Sequence, residues 1–299
     1  MCLPSCLLHR PSWLLVLWSL GLALSACALP APTAGTLLRS SPTPVAQALF
    51  QVRGRHTDLV SVHVVFPSDD QGVPLRPPDG ARWPALVLVQ GAFVAPQDYL
   101  WLAGSLAARG YVVALPEHPL DFSLSAIDNG RFAQRLLTSP PEGSLLEGLV
   151  DPSRIAVAGH SLGGVVASKL ALDGGFAALV FLASYPDAAD AARVPSLGLP
   201  SLSLAGELDC SALLPRVRDE ASRLPPPSVL VVLQGVTHYQ FTASDRKDQD
   251  SGCVPRLALD TAHERIAELV SRFLDAALTG QGTGADTLRE VPGTEVTER

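Results

Sequence analysis

The chain has 299 residues, enough for one large domain or two small ones and for a sizeable core. Charged residues make up 17 % and apolar residues 47 %, which excludes an intrinsically disordered chain. The net charge is −7 with no long basic run, so a nucleic-acid partner is not expected. The 24 glycines and 26 prolines point to many tight loops without any collagen-like period.

Taken from the start, residues 1–26 read as an export signal rather than a fold element. Arg10 and the α-amino group precede an apolar run from Trp13 to Leu24, which is shorter than the ~20 residues of a comfortable membrane span. The run stops at Leu24-Ser25-Ala26-Cys27, which resembles a bacterial lipobox and implies lipidation at Cys27. Residues 27–46, with Pro30, Pro32, Pro42 and Pro44, read as a flexible tether. These features predict an exported protein held to a membrane by its N-terminal lipid. Cys2 and Cys6 leave with the signal. The remaining pair, Cys210 and Cys253, is expected to form a disulfide in an oxidising compartment.

Residues 47–278 alternate strand-like and helix-like stretches. Strands are predicted at Leu59 to Phe66, Ala85 to Val89, Tyr111 to Leu115, Ile155 to Ala158, Ala178 to Ala183, Ser201 to Ala205 and Val229 to Leu233. Helices are predicted from Tyr99 to Arg109, Leu162 to Leu172 and Thr261 to Leu278. Fully apolar strands separated by helices predict an α/β fold with a doubly wound, mostly parallel sheet. Residues 279–299, rich in Gly, Thr and Glu, are expected to be a disordered tail.

The chemistry concentrates at Gly159-His160-Ser161-Leu162-Gly163. A G-x-S-x-G run between an apolar strand and an apolar helix places the serine on a sharp turn, with glycines where strand and helix approach too closely for side chains. A serine nucleophile needs a base, and the base needs an orienting carboxylate. Only His238 and His263 follow Ser161. His238 stands just after the strand-like VLVVLQG, whereas His263 sits inside the last helix and reads as solvated. For the acid, Asp209 fits the order serine–acid–histidine, with Asp187 and Glu207 as alternatives. An oxyanion needs fixed N–H donors, and the backbones of Leu162 and Ala92 stand where these belong. His160 reads as packing or bonding locally, His63 as a strand residue, and His118 as a candidate for the cleft rim. No metal or nucleotide motif occurs, so no cofactor is expected.

These residues resemble the α/β-hydrolase superfamily over about Val45 to Leu278. Within it they resemble the dienelactone-hydrolase-like and chlorophyllase-like branch. The likeness lies in Val89-Gln90-Gly91-Ala92-Phe93-Val94-Ala95-Pro96, GHSLGGVVASKLAL, Leu182-Ala183-Ser184-Tyr185-Pro186, LAGELD and GVTHYQF. The resemblance implies an α/β-hydrolase fold without a large cap domain, and a triad of Ser161, Asp209 and His238. Gln90 stands where many relatives carry histidine, so the oxyanion loop is expected to differ while its backbone donor remains. Gln240 to Val254 resembles the relatives' loop after the catalytic histidine, with Cys253 added.

The expected activity is ester hydrolysis through an acyl-enzyme on a small-molecule ester. A thioesterase, peptidase or acyltransferase on the same fold shares these residues. A non-catalytic binding lipoprotein is the alternative of a different class. The apolar residues Phe122, Leu124, Ile127 and Phe132 face either the core or an acyl chain, with core packing the simpler expectation.

Overall fold

A computed structural model describes residues 43–52, 60–118 and 124–299. The signal segment, Cys27, most of the tether and Phe122 lie outside these residues, and the side chain of Leu124 is likewise not described.

The strands and helices in chain order are β1 (Val45–Val52), β2 (Val60–Pro67), β3 (Trp83–Val89), α1 (Leu100–Ala107), β4 (Val112–Pro116), α2 (Leu124–Thr138), β5 (Val150–His160), α3 (Leu162–Asp173), β6 (Ala178–Leu182), β7 (Ser201–Gly206), α4 (Leu214–Ala221), β8 (Ser228–Leu233), α5 (Arg246–Asp250), α6 (Leu259–Leu278), α7 (Ala285–Arg289) and β9 (Thr294–Glu298). The strands form one sheet in the order β1-β2-β4-β3-β5-β6-β7-β8-β9. From β4 to β8 all neighbours are parallel, while β2 pairs antiparallel with β4, β1 with β2, and β9 with β8. This is the mostly parallel, doubly wound sheet that the apolar strand runs predict.

Apolar residues on both faces of each central strand explain why helices cover both sides. Along β3, Leu86 and Leu88 enter one core with α1, α4, α6 and α7. Ala85, Val87 and Val89 point the other way, into a second core with α2 and α3. Alternate side chains of a strand must point to opposite faces, so an unbroken apolar run can be satisfied only between two layers. Each fully buried Leu or Val contributes about 1.5–3 kcal/mol of transfer free energy. Ile127 and Phe132 on α2 pack into the second core, in line with the simpler expectation for them. The chain order reverses across β4-β3-β5, and the crevice beyond the carboxyl ends of β3 and β5 is where such a sheet accommodates a ligand.

Residues 279–299 require a correction. Instead of a disordered tail they form α7 and β9, and β9 closes the sheet along β8. Leu288 and Val291 are buried, and Arg218 clamps Glu295 through two bonds of 2.9 and 2.8 Å. The sequence Thr-Glu-Val-Thr-Glu hides this strand because an edge strand facing solvent needs few apolar residues. The tether also ends earlier than residue 46, since β1 starts at Val45. Ala46, Ala48 and Phe50 pack against the core, while Gln47, Leu49 and Gln51 face outward. Among the described residues, no helix is long and apolar enough to cross a membrane.

Candidate active site

Ser161 stands between β5 and α3 with φ 54° and ψ −126°, a conformation a non-glycine residue adopts only under constraint. The constraint is local. A Cβ on Gly159 would lie 2.0 Å from the Gly163 carbonyl oxygen, and one on Gly163 would lie 2.3 Å from that of Val89. Strand and helix therefore meet backbone to backbone, which only glycine allows. Ser161 N–H donates to the Leu182 carbonyl at 3.0 Å, and the Ser184 hydroxyl donates to the Ser161 carbonyl at 2.5 Å. These bonds hold the turn so that Oγ projects into the cleft.

The loops after β7 and β8 bring the other two residues to it. His238 Nε2 lies 3.0 Å from Ser161 Oγ, and His238 Nδ1 lies 2.8 Å from Asp209 Oδ2. Asp209 Oδ1 accepts the Ser211 and Ala212 amides, both at 2.7 Å. Asp209 and His238 are buried, so the carboxylate is held by three donors away from water. A carboxylate only accepts, so Nδ1 carries the proton and Nε2 is left to accept from the serine. The two alternative acids are engaged elsewhere. Asp187 pairs with Lys169 at 2.7 Å, and Glu207 accepts the Gly235 amide at 2.8 Å.

The two amides expected to serve as oxyanion donors belong to the segments beside the serine. Leu162 opens α3 and Ala92 follows β3. Neither amide gives its proton to an acceptor among the described residues. Phe93, next to Ala92, has φ 57°, and its carbonyl accepts the Lys247 ammonium of α5 at 2.8 Å. The cleft above Ser161 measures 360 Å³ and is walled by Leu162, Val165, Tyr185, Ala188 and Ala212. A larger hollow of 860 Å³ lies against α6 and α7, and neither Ser161 nor His238 lines it.

The disulfide joins Cys210, beside Asp209, to Cys253, with the Cα atoms 6.3 Å apart. It anchors the segment after His238, where α5 carries Asp248. The Asp248 carboxylate accepts the Tyr239 amide at 2.6 Å, and burial raises its pKa above the usual range. Sequence reasoning did not single out Asp248, Lys247, Tyr99 or Ser184. The partners of Lys247, Tyr99 and Ser184 lie 154, 61 and 23 positions away in sequence.

Among the described residues, the other histidines also have partners. His63 meets Gln47 at 2.7 Å and Gln97 at 3.2 Å. His118 is buried rather than on an open rim, and its carbonyl accepts Gln90 Nε2 at 3.3 Å. His263 is not solvated as its helix position suggests. It stacks on Trp101 with ring centroids 3.7 Å apart and bonds the Thr242 carbonyl. His160 is fully buried between Tyr99 and the His238 carbonyl.

A strained serine on a strand–helix elbow, with a histidine and a buried carboxylate arriving from later strands, defines the class of hydrolases built on such a sheet. A family model described as the alpha/beta hydrolase family matches residues 85–256, more than half of the chain, and the chain belongs to this family. No curated protein matches it.

Proposed function

We propose that the protein is a serine hydrolase that cleaves small carboxylic esters through an acyl-enzyme intermediate. The observation that supports this most is the unbroken chain of hydrogen bonds from Asp209 through His238 to Ser161 Oγ, beside two unused amides. Membership of the alpha/beta hydrolase family supports hydrolysis in general. The residues suit the dienelactone-hydrolase-like branch.

In the first half-reaction His238 Nε2 takes the Ser161 proton as Oγ bonds to the ester carbonyl carbon. Charge on the carbonyl oxygen meets the Ala92 and Leu162 amides, fixed before the reaction begins. The imidazolium, steadied by Asp209, returns its proton to the departing alkoxide as the carbon–oxygen bond breaks. Water then repeats the sequence and releases the acid. The cleft of 360 Å³, without an inserted cap, suits short acyl groups.

Incubation with a fluorophosphonate probe, mapped by mass spectrometry, is expected to label Ser161. Hydrolysis of p-nitrophenyl acetate and butyrate is expected to fall at least about a thousandfold in Ser161→Ala. An unlabelled, folded protein would overturn the reading.

We also propose that the chain is exported and lipid-anchored at Cys27. The support is the apolar run ending in Leu24-Ser25-Ala26-Cys27 and a cross-link that suits an oxidising compartment. Metabolic labelling with an alkynyl fatty acid is expected to tag the wild-type chain and to leave Cys27→Ser untagged and absent from the membrane fraction.

A further inference from the structure

The buried polar groups of the core contain one continuous chain that the reaction above does not use. Gly91 N–H donates to the Tyr99 hydroxyl oxygen at 2.9 Å. Tyr99 Oη lies 2.8 Å from His160 Nδ1, and His160 Nε2 lies 3.2 Å from the His238 carbonyl. Tyr99 and His160 are completely buried. The direction of every bond follows from its ends. An amide at Gly91 can only donate and the carbonyl of His238 can only accept. Tyr99 has a single proton, already free to leave for Nδ1 once its oxygen has accepted from Gly91. His160 must therefore be neutral, with its own proton on Nε2. Burial, and then the neighbouring His238, pushes its pKa well below the usual 6.5, which agrees with that assignment.

The two ends of this chain are the parts that must agree in position. Gly91 immediately precedes Ala92, whose amide faces the developing oxyanion. His238 supplies the base. No strand pairs β3 with β8 directly, since β5, β6 and β7 stand between them. Besides the Lys247 bond to the Phe93 carbonyl, a polar link between the two loops passes behind the serine, through the residue that precedes it. Packing fixes its course as well. A Cβ on Gly91 would lie 2.9 Å from His160 Nδ1, and the His160 ring is stacked 5.9 Å from that of Phe241.

We infer that Tyr99 and His160 are positioning residues that set the oxyanion amide and the catalytic histidine at a common distance from Ser161 Oγ. The inference rests on the serine-hydrolase reading above. A neutral His160 also places no second positive charge beside the imidazolium that forms on His238, whose ring centroid is 4.7 Å away.

Four full-length chains test it: wild type, Tyr99→Phe, His160→Phe and His160→Gln. Phenylalanine keeps the ring volume at either site and deletes the polar ends. Glutamine carries one acceptor and one donor at a spacing close to that of the two ring nitrogens, so it can restore both bonds without a titrating group. For p-nitrophenyl butyrate, both phenylalanine variants are expected to lose about 30-fold in kcat with KM within about twofold, because misplacement of a reacting group acts mainly on the transition state. His160→Gln is expected to return to within about threefold of wild-type kcat, with an unchanged pH profile. Two results would overturn the inference: phenylalanine variants that keep wild-type kcat, or a glutamine variant that falls as far as His160→Phe. Imidazole nitrogen-15 and amide spectra report independently of turnover. In Tyr99→Phe the His238 and Ala92 resonances are expected to move together, and unmoved resonances would overturn the positioning role even in a chain without esterase activity. Failure of wild-type Ser161 to take the fluorophosphonate would instead count against the serine-hydrolase reading.

Discussion

At the scale of single residues, the buried histidines make stability depend on pH in a defined direction. His160 and His263 both have pKa values lowered chiefly by burial. Near pH 7 the folded and unfolded forms of each are neutral. As the pH falls through 6.5 the unfolded chain takes up protons that the folded chain refuses. Stability is therefore lost below 6.5, down to the depressed folded value, by up to about 1.4 kcal/mol per pH unit per histidine. Asp248 and Asp275, with raised pKa values, act the other way. The folded state keeps their protons above the unfolded value of 3.8, so each costs stability as the pH rises through its window. Denaturant unfolding of the wild type between pH 7.5 and 5 is expected to weaken with acid, and His160→Gln is expected to flatten that slope. A mutant slope equal to the wild-type slope would assign the loss to other groups. Ser161, His238 and Asp209 were legible in the sequence because strand ends and chain order mark them. The pairing of Tyr99 with His160 was not, since 61 residues separate them and neither belongs to a motif that names a partner.

At the scale of elements, the segment from Tyr239 to Cys253 touches all three parts of the site. Lys247 reaches the Phe93 carbonyl next to Ala92, Asp248 holds the amide of the residue after His238, and Cys253 is bonded to the neighbour of Asp209. With the cysteines 43 positions apart in sequence, loop closure predicts a contribution of about 4 kcal/mol. Replacing both cysteines with alanine is expected to lower the urea unfolding free energy by about that amount. A reducing agent should do the same to the wild type and nothing to the double variant. A midpoint unaffected by either treatment would refute the cross-link's stabilising role. The cysteine pair was visible as the even count left once the N-terminal segment is read as an export signal. Helix α5 was not, because its five polar residues carry no apolar period. The central strands were legible for the opposite reason, since burial on both faces leaves an unbroken apolar signature.

At the scale of the whole molecule, one sheet spans nine strands among the described residues, and its two outermost members escaped the sequence reading. Each is half exposed and mixes polar with apolar residues, so composition resembles that of a tether or tail. A chain truncated after Thr283 loses β9 and bares the β8 edge, whose residues are all buried in the full chain. Such an edge is a template for pairing with other chains. The truncated protein is expected to aggregate on heating at a temperature at which the full chain stays clear, as read by light scattering. Equal scattering curves would show that β9 does not guard the edge.

The antiparallel edges also decide which way the molecule faces when it is held. Val45 pairs with Pro67 at the end of β2, level with the start of β4, and Arg299 bonds Ser228 at the start of β8. Both ends of the folded part thus emerge from the floor of the sheet, while Ser161, Asp209 and His238 stand on its roof. With about 4.8 Å between neighbouring strands, the two exits are roughly 38 Å apart along that floor. A bead, sensor chip or display scaffold attached through either end would meet the floor and leave the mouth of the cleft turned outward, open to substrate arriving from solution.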